Sequence, residues 1–197
     1  MGLFDILRGE RRPKRADLDR LFALTTARTT LSVSLGYEPL TVAGVCFKPV
    51  EAAAFGEMRR DLDDLLAVNE RTAGTRTRHR DDEFGFHWLV IEDDDFDDVV
   101  GTTHLVSQTL EERGFSEQLL CSVFGFRPQD GGPDAYFVYA YKRGTFYPFV
   151  PVTGASGEER RRDNAVELRL KAALQRELPI EPELERWYPV WGVPTAA

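Results

Sequence analysis

Clustered carboxylates are the first residues in this chain that invite a chemical reading. Glu92, Asp93, Asp94, Asp95, Asp97 and Asp98 crowd one short stretch, and hard divalent cations take clustered carboxylate oxygens. A calcium-loop spacing is absent, because no glycine holds the turn position and no glutamate closes the loop. The same residues suit a helix start. Asp95 is then the N-cap, with Asp97 and Asp98 offsetting the helix dipole in the first turn. The helix start is the preferred reading; a metal-dependent enzyme using the 92–98 cluster or His87 is the alternative.

The other reactive residue types are scattered. His79, His87 and His104 show neither HExxH nor HxH spacing. Ser156 lies in Gly154-Ala155-Ser156-Gly157, which lacks the nucleophile-elbow spacing. No glycine-rich phosphate loop is present. Cys46 and Cys121 each sit in an apolar run, where a thiol usually behaves as a small buried hydrophobe. These patterns give no catalytic residue, cofactor or metal ligand, and the expectation is a non-enzymatic protein.

Two aromatic segments stand out instead. Tyr139–Pro151 carries Tyr141, Phe146, Tyr147 and Phe149 around Lys142 and Arg143, and Arg186–Pro194 carries Trp187, Tyr188 and Trp191. Aromatic and arginine side chains are the usual anchors of protein interfaces. Tyr141, Arg143, Phe146, Tyr147, Phe149, Trp187 and Trp191 are therefore the candidate partner-binding residues. The competing reading is that the C-terminal tail covers the aromatic strand and forms a satellite core with it.

A third feature is the N-terminus. On a helix, Leu3, Phe4, Ile6 and Leu7 share an arc of about 160°, and Arg8, Arg11, Arg12, Lys14 and Arg15 follow. Burying the four apolar side chains yields roughly 1.5–3 kcal/mol each. Ordering the backbone costs about 1–2 kcal/mol per residue, and each basic residue adds up to about 1 kcal/mol near an anionic leaflet. The sum is weak, reversible membrane adhesion. Ile6 occupies the position where a myristoylation signal wants Ser or Thr.

The elements that carry these residues can be read from periodicity. Helices are expected from about 16 and fading over Thr-rich 25–30, over about 51–69, from 96 to a C′ glycine at Gly114, and over 158–177. Strands are expected in Tyr37–Phe47 (one or two), Phe84–Ile91, Leu119–Phe126, Tyr136–Tyr141 and Thr145–Val150, the last as a third strand or extended edge because Pro148 cannot donate to a ladder. Residues 74–82 read as a polar connection. This order predicts an α+β fold, an antiparallel sheet with helices mainly on one face. Residues 1–15 are the tail and 16–197 a single domain, with an extended arm over 179–197. The chain has 197 residues with a net charge of −8, which disfavours nonspecific nucleic-acid binding. No apolar run reaches membrane-spanning length, so a cytoplasmic location is expected, peripheral at most.

Tyr141-Lys142-Arg143-Gly144-Thr145-Phe146-Tyr147-Pro148, then Arg162-Asp163-Asn164-Ala165 with Glu167-Leu168, and Arg186–Gly192 together resemble one known family. It is the PspA-associated protein family of the AB type, found with phage-shock protein A homologues mainly in actinobacteria. Met-Gly-Leu-Phe-Asp at the start, Ala43–Phe47 and Gly114–Phe126 extend the likeness over nearly the whole chain. The resemblance implies an accessory role in the envelope-stress response around phage-shock protein A, a coiled-coil protein that coats stressed membranes. A PspA-like partner, transient contact with the anionic membrane surface and a homodimer are the partner expectations. The helix-and-hairpin order is also similar to the type III secretion chaperone and YbjN-like fold group. That likeness implies a second alternative, a chaperone-like dimer holding protein segments.

Overall fold

The computed structural model describes residues 17–153 and 160–192. Leu3, Phe4, Ile6, Leu7, Arg8, Arg11, Arg12, Lys14 and Arg15 lie outside the described residues. Eight strands and four helices follow in the order α1 (Ala23–Leu35), β1 (Tyr37–Phe47), α2 (Ala53–Ala73), β2 (Arg76–Asp81), β3 (His87–Glu92), α3 (Phe96–Glu112), β4 (Leu119–Pro128), β5 (Ala135–Ala140), β6 (Thr145–Phe149), β7 (Pro151–Thr153), β8 (Arg160–Arg162) and α4 (Asn164–Leu174). Six strands form one sheet in the order β2-β3-β1-β4-β5-β6, and β7 pairs with β8 separately. The ladders between these strands are antiparallel. The fold is α+β, as the element order predicts.

Alternation sorts each strand between two cores. Ala43, Val45, Phe47, Leu89, Ile91, Phe124, Phe126, Phe137 and Phe146 face the helices, which contribute Leu24, Leu31, Met58, Leu62, Val99, Val106 and Leu170. Cys46, Trp88, Val123, Tyr136, Val138, Tyr147 and Phe149 face the other way and meet Trp187 of the C-terminal arm. Gly125 belongs to that second face, where a Cβ would come within 2.7 Å of Leu40. The helices therefore take one face of the sheet and the arm takes part of the other.

The element limits differ from the sequence expectation at four places. α1 continues through its threonines to Leu35 because Leu24, Ala27 and Leu31 are fully buried, and tertiary burial outweighs the small helix cost of β-branched residues. Residues 76–81 form a strand rather than a connection; its register comes from backbone pairing to β3, with no apolar alternation to announce it. β3 starts at His87, since Phe84 and Phe86 sit in a turn where both backbone N–H groups donate to Asp82 Oδ1 at 2.9 Å. α4 starts only at Asn164, because Asp163 caps it through the Val166 N–H and Arg160–Arg162 are drawn into β8.

α3 meets its expected limits. The Asp95 side chain accepts from the Asp97 N–H at 2.8 Å. At the other end Gly114 has φ +83°, its N–H donates to Glu111 and that of Phe115 to Leu110, the paired bonds of a Schellman cap. No helix among the described residues is long and apolar enough to cross a membrane.

Candidate interaction surface

The segments that carry the sequence resemblance meet at the β6 end of the sheet. Pro179 and Glu181 add to β6 through backbone bonds: Phe146 N–H donates to Pro179 at 2.9 Å and Glu181 N–H to Phe146 at 2.8 Å. Glu181 is buried, yet its carboxylate accepts from Thr145 Oγ1 at 3.1 Å and lies near the guanidinium groups of Arg143 (3.9 Å) and Arg186 (3.6 Å). Deeper in, Arg162 grips Glu167 with two bonds of 2.9 Å and donates to the Trp187 carbonyl at 2.5 Å. Glu167 also accepts from Val150 N–H at 2.8 Å. A buried carboxylate of this kind is tolerable only when its lone pairs are filled, as they are in this pair.

Aromatic contacts complete the clasp. Trp187 stacks on Tyr147 with ring centres 6.2 Å apart, and Lys171 Nζ lies over the Trp187 ring, 5.5 Å from its centre. Trp191 meets Phe149 edge-on at 5.1 Å. Tyr147 donates its hydroxyl to the Tyr188 carbonyl at 2.9 Å, and burial pushes its phenol well above the ordinary range. Tyr141 is enclosed on the helix side, where its hydroxyl bonds to Ser107 and Ser122.

Tyr141, Phe146, Tyr147, Phe149 and Trp187 are thus internal. Tyr147, Phe149 and Trp187 lie in the arm-side cluster, the satellite core that the aromatic density also permitted, whereas Tyr141 and Phe146 belong to the helix-side core. Of the partner-binding candidates, Arg143 and Trp191 reach solvent.

Trp191 opens onto a recess of about 210 Å³ shared with Arg80, Asp82, Phe84 and Trp88. Asp82 fixes its wall by accepting from Trp88 Nε1 at 2.9 Å. Phe84, at the recess, is 60% exposed and Tyr188, on the arm, 63% exposed, so two aromatic rings lack the cover given to the rest. Phe84, expected as the first residue of a strand, stands instead exposed in the turn before β3. Its place beside Gly85, in a turn after Asp81-Asp82, was the available signal.

The acidic stretch spreads instead of converging. Asp93 accepts from Asp95 N–H and from Thr75 Oγ1, Glu92 pairs with Arg78, and Asp97 lies 3.5 Å from Arg28. Desolvation and the neighbouring Asp93, Asp95 and Asp97 raise the Asp98 carboxyl above its usual range. Among the described residues no group of His, Cys, Asp or Glu is arranged to hold a metal.

His87 belongs to a different arrangement. Asp81 Oδ1 lies 2.6 Å from His87 Nδ1, His87 Nε2 lies 2.8 Å from His79 Nδ1, and His79 Nε2 lies 2.7 Å from Asp63 Oδ1. The chain of contacts ties β2 and β3 to α2. Burial lowers the His87 pKa, partly opposed by the Asp81 hydrogen bond, while Arg59 and His79 lower it further. Cys46 and Cys121 face each other across β1 and β4 as free thiols. Their mutual hydrogen bond, followed by burial, raises the Cys46 thiol and makes it a poor nucleophile.

A family model described as PspA associated protein B matches residues 1–195. No curated protein matches the chain. No solved structure matches either, so the likeness to the secretion-chaperone and YbjN-like fold group gains no support.

Proposed function

Because the chain belongs to the PspA-associated protein B family, which links it to an accessory role around PspA, we propose that it is a non-catalytic adaptor. It binds a PspA-type coiled-coil protein and visits the inner membrane surface through its N-terminal tail. The family match over residues 1–195 carries this reading. The exposed rings of Phe84 and Tyr188, with Trp191 and Arg80 at the recess, support a protein contact on the arm side of the sheet. Leu3, Phe4, Ile6 and Leu7 with the five basic residues after them support the membrane contact.

The partner half is tested by size-exclusion chromatography and pull-down of the full chain with a purified PspA protein from the same host. Co-elution is expected, weakened at least about tenfold in Phe84→Ala/Tyr188→Ala, in keeping with aromatic anchors. Absence of any complex under envelope-stress conditions would refute it. The membrane half is tested by sedimentation with anionic vesicles: removal of residues 1–15 is expected to abolish binding, and unchanged sedimentation would discard it.

A further inference from the structure

β2 is the outermost strand of the sheet, and its far side is open. Asp82 N–H donates to Phe86 O across the hairpin at 3.0 Å. Bonded positions alternate along an antiparallel pair, so Arg76, Arg78 and Arg80 turn their backbone groups to β3. Thr77, His79 and Asp81 turn theirs outward, and no backbone partner meets them among the described residues. Meanwhile the side chains of Arg76, Arg78 and Arg80 form a row on the same face as Trp88 and Val90, each opposite Glu92, Val90 or Trp88 in turn. All three arginines are exposed. Arg78 pairs with Glu92, whereas Arg76 and Arg80 have no ion-pair partner among the described residues.

We propose that this edge docks an extended acidic segment of another protein by strand addition. The unpaired N–H and C=O groups supply the ladder. The arginine row, spaced at roughly 6.6 Å on alternate residues, selects a strand with carboxylates at every second position, since guanidinium groups match carboxylates in a bidentate fork. The same row disfavours a second copy of this chain, because antiparallel pairing of β2 with itself sets arginine against arginine. The opposite edge of the sheet offers no such site, being filled by Pro179–Glu181. The chemistry of the docked segment is independent of the identity of the protein that carries it.

The test uses the full chain and a fluorescent peptide in which glutamate alternates with threonine. Anisotropy is expected to show saturable binding, reduced at least about tenfold in Arg76→Glu/Arg80→Glu. Amide resonances of Thr77, His79 and Asp81 are expected to shift. If the reversal variant fails to fold, Arg76→Gln/Arg80→Gln carries the same comparison. An equally tight peptide N-methylated at its ladder amides would overturn the proposal, reducing the contact to charge attraction alone. Resonance shifts confined to another face would overturn it too. Loss of vesicle binding in the reversal variant, with the peptide ignored by the wild type, would assign the row to a lipid surface instead. Because the probe is a synthetic peptide, failure to capture a PspA protein leaves this result independent.

Discussion

At the β6 end of the sheet the chain supplies its own covering, whereas at the β2 end it supplies only charge. β6 receives backbone bonds from Pro179–Glu181, a stacked Trp187 and a filled buried ion pair at Arg162 and Glu167. β2 receives one ladder from β3 and presents arginines to solvent. An unpaired edge is a template for foreign strands. Closing one edge with apolar mass and guarding the other with like charges addresses the same hazard by two routes. Only the guarded route stays reversible, since a partner of opposite charge can use it.

Variants can break this contrast, and the largest effects belong to the closed edge. Trp187→Ala removes a ring that is only 5% exposed, and a cost of about 4 kcal/mol is expected in urea unfolding. Glu167→Ala leaves Arg162 and the Val150 N–H without their acceptor; about 3 kcal/mol is expected, with much of it recovered in Glu167→Met/Arg162→Met. Failure of the double variant to recover would mean the pair does more than fill its own desolvation cost.

The third prediction lies near the open edge and depends on pH. The His87 ring holds its proton less tightly in the fold than in the unfolded chain, where an imidazole titrates near about 6.5. Its contribution to stability is therefore fully present above that value and is lost as pH falls through the lower folded value. Burial, Asp81, Arg59 and His79 set how far. His87→Asn is expected to flatten the fall in stability between about pH 7 and pH 5, read by denaturation at each pH. The smallest effect is at the row itself: Arg76→Ala/Arg80→Ala should change stability by no more than about 0.5 kcal/mol. A larger loss would show that the row is structural.

The contrast also marks what could be read from the sequence. α3 was legible at both ends, because Asp95 and Gly114 act through local backbone geometry. The edge role of β6 was legible from Pro148 alone. β2 was not, since an arginine-rich strand buries almost nothing and carries no period-2 apolar signal. The aromatic segments were legible as a group that needs a partner. That the partner is the chain's own arm depends on contacts between residues far apart in sequence, such as Phe146 with Pro179. Glu167 lies in a charged helical stretch, and no local pattern records that it is buried against Arg162 and the Val150 N–H.

The clasp at β6 also imposes an order on biosynthesis. Translation delivers Phe149 before Trp187, and at about 5–20 residues per second the interval is on the order of seconds. During that interval the helix-covered face can consolidate while the aromatic face of β4, β5 and β6 waits bare.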